Sequence, residues 1–287
     1  MPNRFSKMDR WSSEQVAQFK EAGQFQQLEQ ARALAPAAAA PGMGIIVAEG
    51  DSWFDYLPGT DVIDCLRIHQ GYVIENFAKA GDTLENMIYG TGINRQFQRV
   101  SPTIEIVLRR IGAVQPKVFL FSGGGNDVAG DEFESYLNHK ASTLPALREP
   151  YVTDMLTVVF QKYFEDLIAK VAAASPATHI LAHGYGHTVP TGRAVDFLFL
   201  TFVGPWLRPA LARKGIFDPI EQRAAVFALI DRFNVMLAAL DQQHPNFHHI
   251  DLRDILNPNT DWVNELHLRN SAFARVAQRI HEKIQTL

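Results

Sequence analysis

Cysteine is almost missing from this chain. Cys65 stands alone among 287 residues, which excludes an intrachain disulfide and any thiolate-rich metal site. Dense Lys/Arg blocks are missing too, and the net charge of −4 gives no footprint for nucleic acid. Long hydrophobic runs are also lacking. The longest, from Ala194 to Val203, is interrupted by Asp196 and falls well short of the ~20 residues a membrane-crossing helix takes. Met1 to Gln15 is polar, without the apolar core or small-residue cleavage site of a secretory signal. These absences together predict a soluble, cytoplasmic protein with no nucleic-acid partner and no membrane span.

What remains is an ordinary globular composition, 47% hydrophobic and 20% charged, in a chain long enough to bury a full core. Val16, Phe19, Phe25 and Leu28 recur at helical spacing between Ser13 and Leu34. They predict an amphipathic helix that packs on the domain or serves as a homo-oligomerisation arm. Ala35-Pro36 and the Ala run to Pro41-Gly42 end it. Residues 1–42 are therefore read as a helical extension with a linker, and 43–287 as one domain.

Within that domain, short apolar runs alternate with longer amphipathic ones. Strands are predicted at Ile45–Ala48, Tyr72–Phe77, Val118–Ser122, His179–His183 and His248–Leu252. Helices are predicted at Asp61–His69, Thr83–Tyr89, Thr103–Ile111, Tyr151–Ala173, Pro219–Leu240 and Ser271–Ile284. Such alternation predicts a single-domain three-layer α/β/α sandwich around a mainly parallel sheet of about five strands.

Four segments carry the chemistry. Gly50-Asp51-Ser52-Trp53 follows the first strand and places a hydroxyl at the sheet edge where ligands bind in open α/β folds. As a lone pair, Asp-Ser reads first as a helix cap, and Phe54 occupies the place of the second glycine of an α/β-hydrolase elbow. Asn76 to Thr83 contains Gly81, where a backbone N–H can approach a ligand closely. Ser122-Gly123-Gly124-Gly125-Asn126-Asp127 offers an amide donor at the same edge. It lacks the Lys-Ser/Thr of a phosphate loop. Asp261-Trp262-Val263-Asn264-Glu265-Leu266-His267 supplies an imidazole with side chains able to orient it.

In this order the four segments resemble the SGNH hydrolases, the GDSL-type esterases and lipases, over residues 44 to 286. The family's first block is matched by Gly50-Asp51-Ser52, with Trp53 in place of the usual leucine. Its glycine block is matched by Gly81, its Gly-x-Asn-Asp block by Gly124 to Asp127, and its closing Asp-x-x-His block by Asn264 to His267. The resemblance implies a flavodoxin-like sandwich and hydrolysis of a small acyl ester through an acyl-serine intermediate, with no cofactor and no metal. It makes Ser52 the nucleophile and His267 the base, with the backbone N–H groups of Ser52 and Gly81 and the Asn126 amide as the oxyanion hole. Asn264 departs from the family's aspartate. Asn264 and Asp261 are the candidate orienting groups, with Glu265 or a backbone carbonyl behind them. Asp51, Trp53, Asp127, His187 and Trp206 are the candidate substrate contacts. Phe197 to Trp206 is expected to be core, the start of a helix or an acyl-pocket wall. Two other enzymes, a deacetylase and a thioesterase, would use the same site. A catalytically impaired ligand binder on this fold is the other alternative.

Overall fold

In strand β1 (Ile45–Gly50) every residue after the first is buried. Its side chains divide between two cores: Val47 joins one, Ile46 and Ala48 the other. This is the pattern of a strand covered on both faces. The computed structural model describes residues 44–56, 59–130, 132–197 and 200–287. The amino-terminal helix and linker predicted over 1–42 lie outside the described residues.

Strands β2 (Val73–Asn76), β3 (Val118–Ser122), β4 (His179–His183) and β7 (Phe247–Ile250) join β1 in a parallel sheet of order β2-β1-β3-β4-β7. Helices α1 (Val62–Gln70) and α8 (Asn270–Gln285) bury their apolar stripes on one face. The other face carries α2 (Leu84–Tyr89), α3 (Thr103–Val114) and α7 (Pro219–Gln243). It also carries a helical run from α4 (Tyr151–Asp154) through a π-helical turn (Met155–Phe160) into α5 (Gln161–Ala174). The result is the predicted three-layer sandwich. Among the described residues no helix is long and apolar enough to cross a membrane.

The sequence from Phe197 to Trp206 departs from expectation. Instead of starting a helix, it contributes to an antiparallel ribbon of β5 (Val195–Phe197) and β6 (Leu200–Val203). Its β-branched and aromatic residues favour a ribbon over a helix. A short helix, α6 (Arg208–Arg213), follows; it is too brief to leave a periodic signal.

From β1 the chain crosses to β2 at the edge, whereas from β3 it proceeds outward to β4. The connections therefore diverge between β1 and β3, and a crevice opens beyond their carboxyl ends. That switch point is where open α/β sheets bind ligands. Ser52 and Asn126 both emerge there.

Candidate active site

Beyond β1 the chain turns at once. Asp51 N–H donates to the Ser122 carbonyl at 3.1 Å, and Phe54 N–H to the Asp51 carbonyl at 3.1 Å. Gly50 allows this approach, since a Cβ there would lie 2.7 Å from that of Ser122. The Asp51 carboxylate accepts from Trp53 N–H (2.9 Å), Ser122 Oγ (2.7 Å) and the Tyr185 hydroxyl (2.6 Å). It is a buried strut tying together the ends of β1, β3 and β4. Ser52 caps no helix: α1 begins only at Val62, and Asp61 is its cap.

The Ser52 Oγ lies 2.9 Å from His267 Nε2, and His267 Nδ1 lies 3.1 Å from Asn264 Oδ1. The same Asn264 oxygen accepts the backbone N–H groups of Leu266 (3.0 Å) and His267 (2.9 Å). Those two donors fix which end of the amide faces the ring, because an NH2 group could not accept from them. Nδ1 of His267 therefore carries the proton and Nε2 is free to accept from Ser52. The imidazole is sandwiched: Tyr56 stacks on it at 4.2 Å and the Trp206 ring meets it edge-on at 5.5 Å. Burial without a nearby charge holds its pKa down at about 3, so the ring is neutral at physiological pH. The Trp53 indole N–H donates to the Leu266 carbonyl at 3.0 Å, which locks the serine turn to the histidine loop. A leucine at that position has no such donor.

Lys79 N–H donates to the Gly50 carbonyl at 2.9 Å, and Lys79 to Asp82 form a turn closed by a 3.1 Å hydrogen bond from Asp82 N–H to the Lys79 carbonyl. Gly81 occupies its third position with φ +82°, the conformation a type II turn demands there. Among the described residues the N–H groups of Ser52 and Gly81 have no acceptor. Asn126 Nδ2 donates one proton to the Asp82 carbonyl at 2.9 Å, which leaves its second N–H for another acceptor. Asp127 instead accepts Leu84 N–H (2.7 Å) and Glu85 N–H (3.3 Å) at the start of α2. Its role is thus to dock the Asn126 loop onto the Gly81 loop. Burial raises its carboxyl to about 7.

The other sequence candidates divide. Asp51 and Trp53 border the cavity beside Ser52, but their polar atoms are already engaged. Trp206 touches the imidazole and is not part of the cavity wall. His187 is elsewhere: it bonds Asp231 at 2.8 Å and stacks on Phe227 at 4.1 Å, in a separate charged cleft. Asp261 is turned from the ring, its carboxylate taken by Arg275 and by the Asn257 N–H.

Glu265 does not orient the histidine either. Its wholly buried carboxylate accepts four backbone N–H groups: Gly192 (2.8 Å), Trp206 (2.6 Å), Leu207 (2.7 Å) and Arg208 (3.1 Å). It thereby holds both stems of the excursion containing β5 and β6. Sequence reasoning also passed over Tyr56 and Tyr185. Tyr185 follows the predicted β4 by two residues, which puts it on the same sheet edge as Ser52, and that position was an available signal.

No family model matches the chain, and no curated protein matches it with significance. Solved structures do. The extracellular lipase of Streptomyces rimosus superposes with a TM-score of 0.50 at 13% identity, covering 85% of this chain and 98% of the lipase. A lipase from a goat rumen metagenome gives 0.50 at 11% identity, covering 83% and 96%. The periplasmic domain of a lipopolysaccharide acetyltransferase from Salmonella ser. Paratyphi A gives 0.50 at 14% identity, covering 85% and 84%. The chain has the α/β fold of the SGNH hydrolases, as its four motifs imply.

Proposed function

We propose that this protein is a serine hydrolase that cleaves carboxylic esters through an acyl-Ser52 intermediate. The observation that carries this reading is the 2.9 Å contact between Ser52 Oγ and His267 Nε2, in a crevice that also holds N–H groups without acceptors. Lipases and an acetyltransferase domain of the same fold support it as analogy.

As Ser52 Oγ attacks the acyl carbon, its proton passes to His267 Nε2. Asn264 Oδ1 holds the Nδ1–H throughout, so the ring cannot rotate away. The charge gathering on the carbonyl oxygen is met by the N–H groups of Ser52 and Gly81 and by the free N–H of Asn126. The loss of one such donor costs ~10²–10³ in rate. The tetrahedral centre then collapses, the bond to the leaving oxygen breaks, and Nε2 returns the proton to that oxygen. Water repeats the cycle on the acyl-enzyme and frees the acid. A thioester would follow the same path with a thiol leaving.

Two measurements on one preparation test this reading: labelling by a fluorophosphonate probe, and hydrolysis of p-nitrophenyl butyrate. The expected result is label on Ser52, with both label and hydrolysis lost in Ser52→Ala. Equal hydrolysis by the variant would overturn the assignment.

A further inference from the structure

Resting on that reading, we propose that the acyl half of the substrate is a hydrocarbon chain well beyond acetyl, housed in the cavity behind Ser52. This cavity has a volume of about 90 Å³; a single water takes ~10–15 Å³ on the same measure, so the space has room for several methylenes. It starts at Ser52 and Asn126 and runs inward between the loop after β3 and the inner face of α7.

Two observations choose a hydrocarbon over a polar group. First, the walls beyond the serine are apolar: Val128, Phe133, Leu156, Val226, Leu229 and Phe233. Second, beyond Ser52 and Asn126 at its mouth, the polar side chains that border the cavity are already committed within the protein. Asp51 accepts from Trp53, Ser122 and Tyr185, and the Tyr185 oxygen in turn accepts Gly125 N–H at 3.1 Å. Thr188 donates to the Glu265 carbonyl, and the Glu265 carboxylate holds its four N–H groups. The Trp262 indole N–H has no partner but is itself shut off from solvent. A sugar or other polar acyl group entering here would lose its hydration and find nothing to replace it, whereas methylenes lose nothing.

Burying one methylene is worth about fourfold in kcat/KM. The test compares p-nitrophenyl acetate, butyrate, hexanoate and octanoate on wild type and on Val226→Phe, whose larger ring fills the passage. Binding of octanoic acid to Ser52→Ala, by calorimetry, serves as a measurement independent of turnover. Wild type is expected to favour octanoate over acetate by at least about tenfold. The Val226→Phe change is expected to lower that ratio, and octanoic acid is expected to bind the Ser52→Ala protein. Serine-dependent hydrolysis with no gain beyond acetate overturns the chain-length proposal and leaves the hydrolase standing. No hydrolysis of any ester, with octanoic acid still bound and displaced by the Val226→Phe change, overturns the hydrolase and leaves the alkyl site. If octanoic acid does not bind, the proposal fails.

Discussion

Replacing Asn264 by aspartate adds the one charge that the histidine lacks. Asn264 Oδ1 already accepts Leu266 N–H, His267 N–H and the ring Nδ1–H, so a carboxylate oxygen in its place keeps every hydrogen bond. It is also stabilised by the same donors, which offsets the desolvation of a buried charge. Attraction between unit charges ~4 Å apart is about 4 kcal/mol at an effective dielectric constant of ~20. That is enough to lift the imidazole from about 3 to about 6. The transition state contains the imidazolium, so the same attraction accelerates the reaction. Losing the carboxylate of a serine-protease triad costs ~10⁴, part of it through the wrong tautomer. Here the tautomer is already fixed by two backbone donors, so only the charge is regained. Asn264→Asp is expected to raise kcat by ~10²–10³ on p-nitrophenyl butyrate. It should also bring an acid limb near pH 6 into the pH–rate profile, where wild type has none. If the variant is folded, yet its turnover and pH profile are those of wild type, Asn264 is not the group that orients His267.

Two further outcomes follow from buried carboxyl groups. Glu49 is wholly buried, neither oxygen has a partner among the described residues, and burial raises its pKa to about 9. The unfolded chain releases that proton near the ordinary carboxyl value of 4.5, so the native state holds the extra proton between these values. Stability therefore falls by about 1.4 kcal/mol per pH unit as pH rises through this window. In urea titrations at pH 5 and pH 8, Glu49→Gln should gain about 4 kcal/mol relative to wild type between the two; a constant difference would show that Glu49 is not held protonated. Glu265→Gln leaves one oxygen in place of two and turns an NH2 group toward backbone donors. It should lower stability by about 3 kcal/mol in the same titration, and an unchanged midpoint would refute the four-donor arrangement.

Much of this was legible in the sequence because burial and turn chemistry are local signals. Val118-Phe119-Leu120-Phe121 can be little but a covered strand, and the glycines after it mark where the strand ends. Ser52, Gly81, Asn126 and His267 were legible as a set because each directly follows a strand or precedes a helix. Their side chains' directions were not. Asn126 and Asp127 are neighbours of similar shape, yet one keeps a free donor at the crevice and the other caps α2. Asp261, Asn264 and Glu265 all stand within one turn of His267. Which of them meets the ring depends on backbone dihedrals that composition does not encode. Glu265 is the clearest case: its four partners are backbone groups from a segment about sixty to seventy residues away, and backbone N–H groups carry no residue identity. The β5–β6 ribbon was misread because a short apolar run fits a strand or a helix equally.

Gly192 N–H and Arg208 N–H both lie within about 3 Å of one Glu265 oxygen. The excursion between them leaves and rejoins the domain at nearly a single point. A segment of another length spliced between these stems would close at little entropic cost, because closure depends only weakly on length. His267 would keep its place, anchored two residues further along by its own set of bonds. The ribbon is in this sense an interchangeable cassette, whose length can change while the turn that carries His267 is left alone.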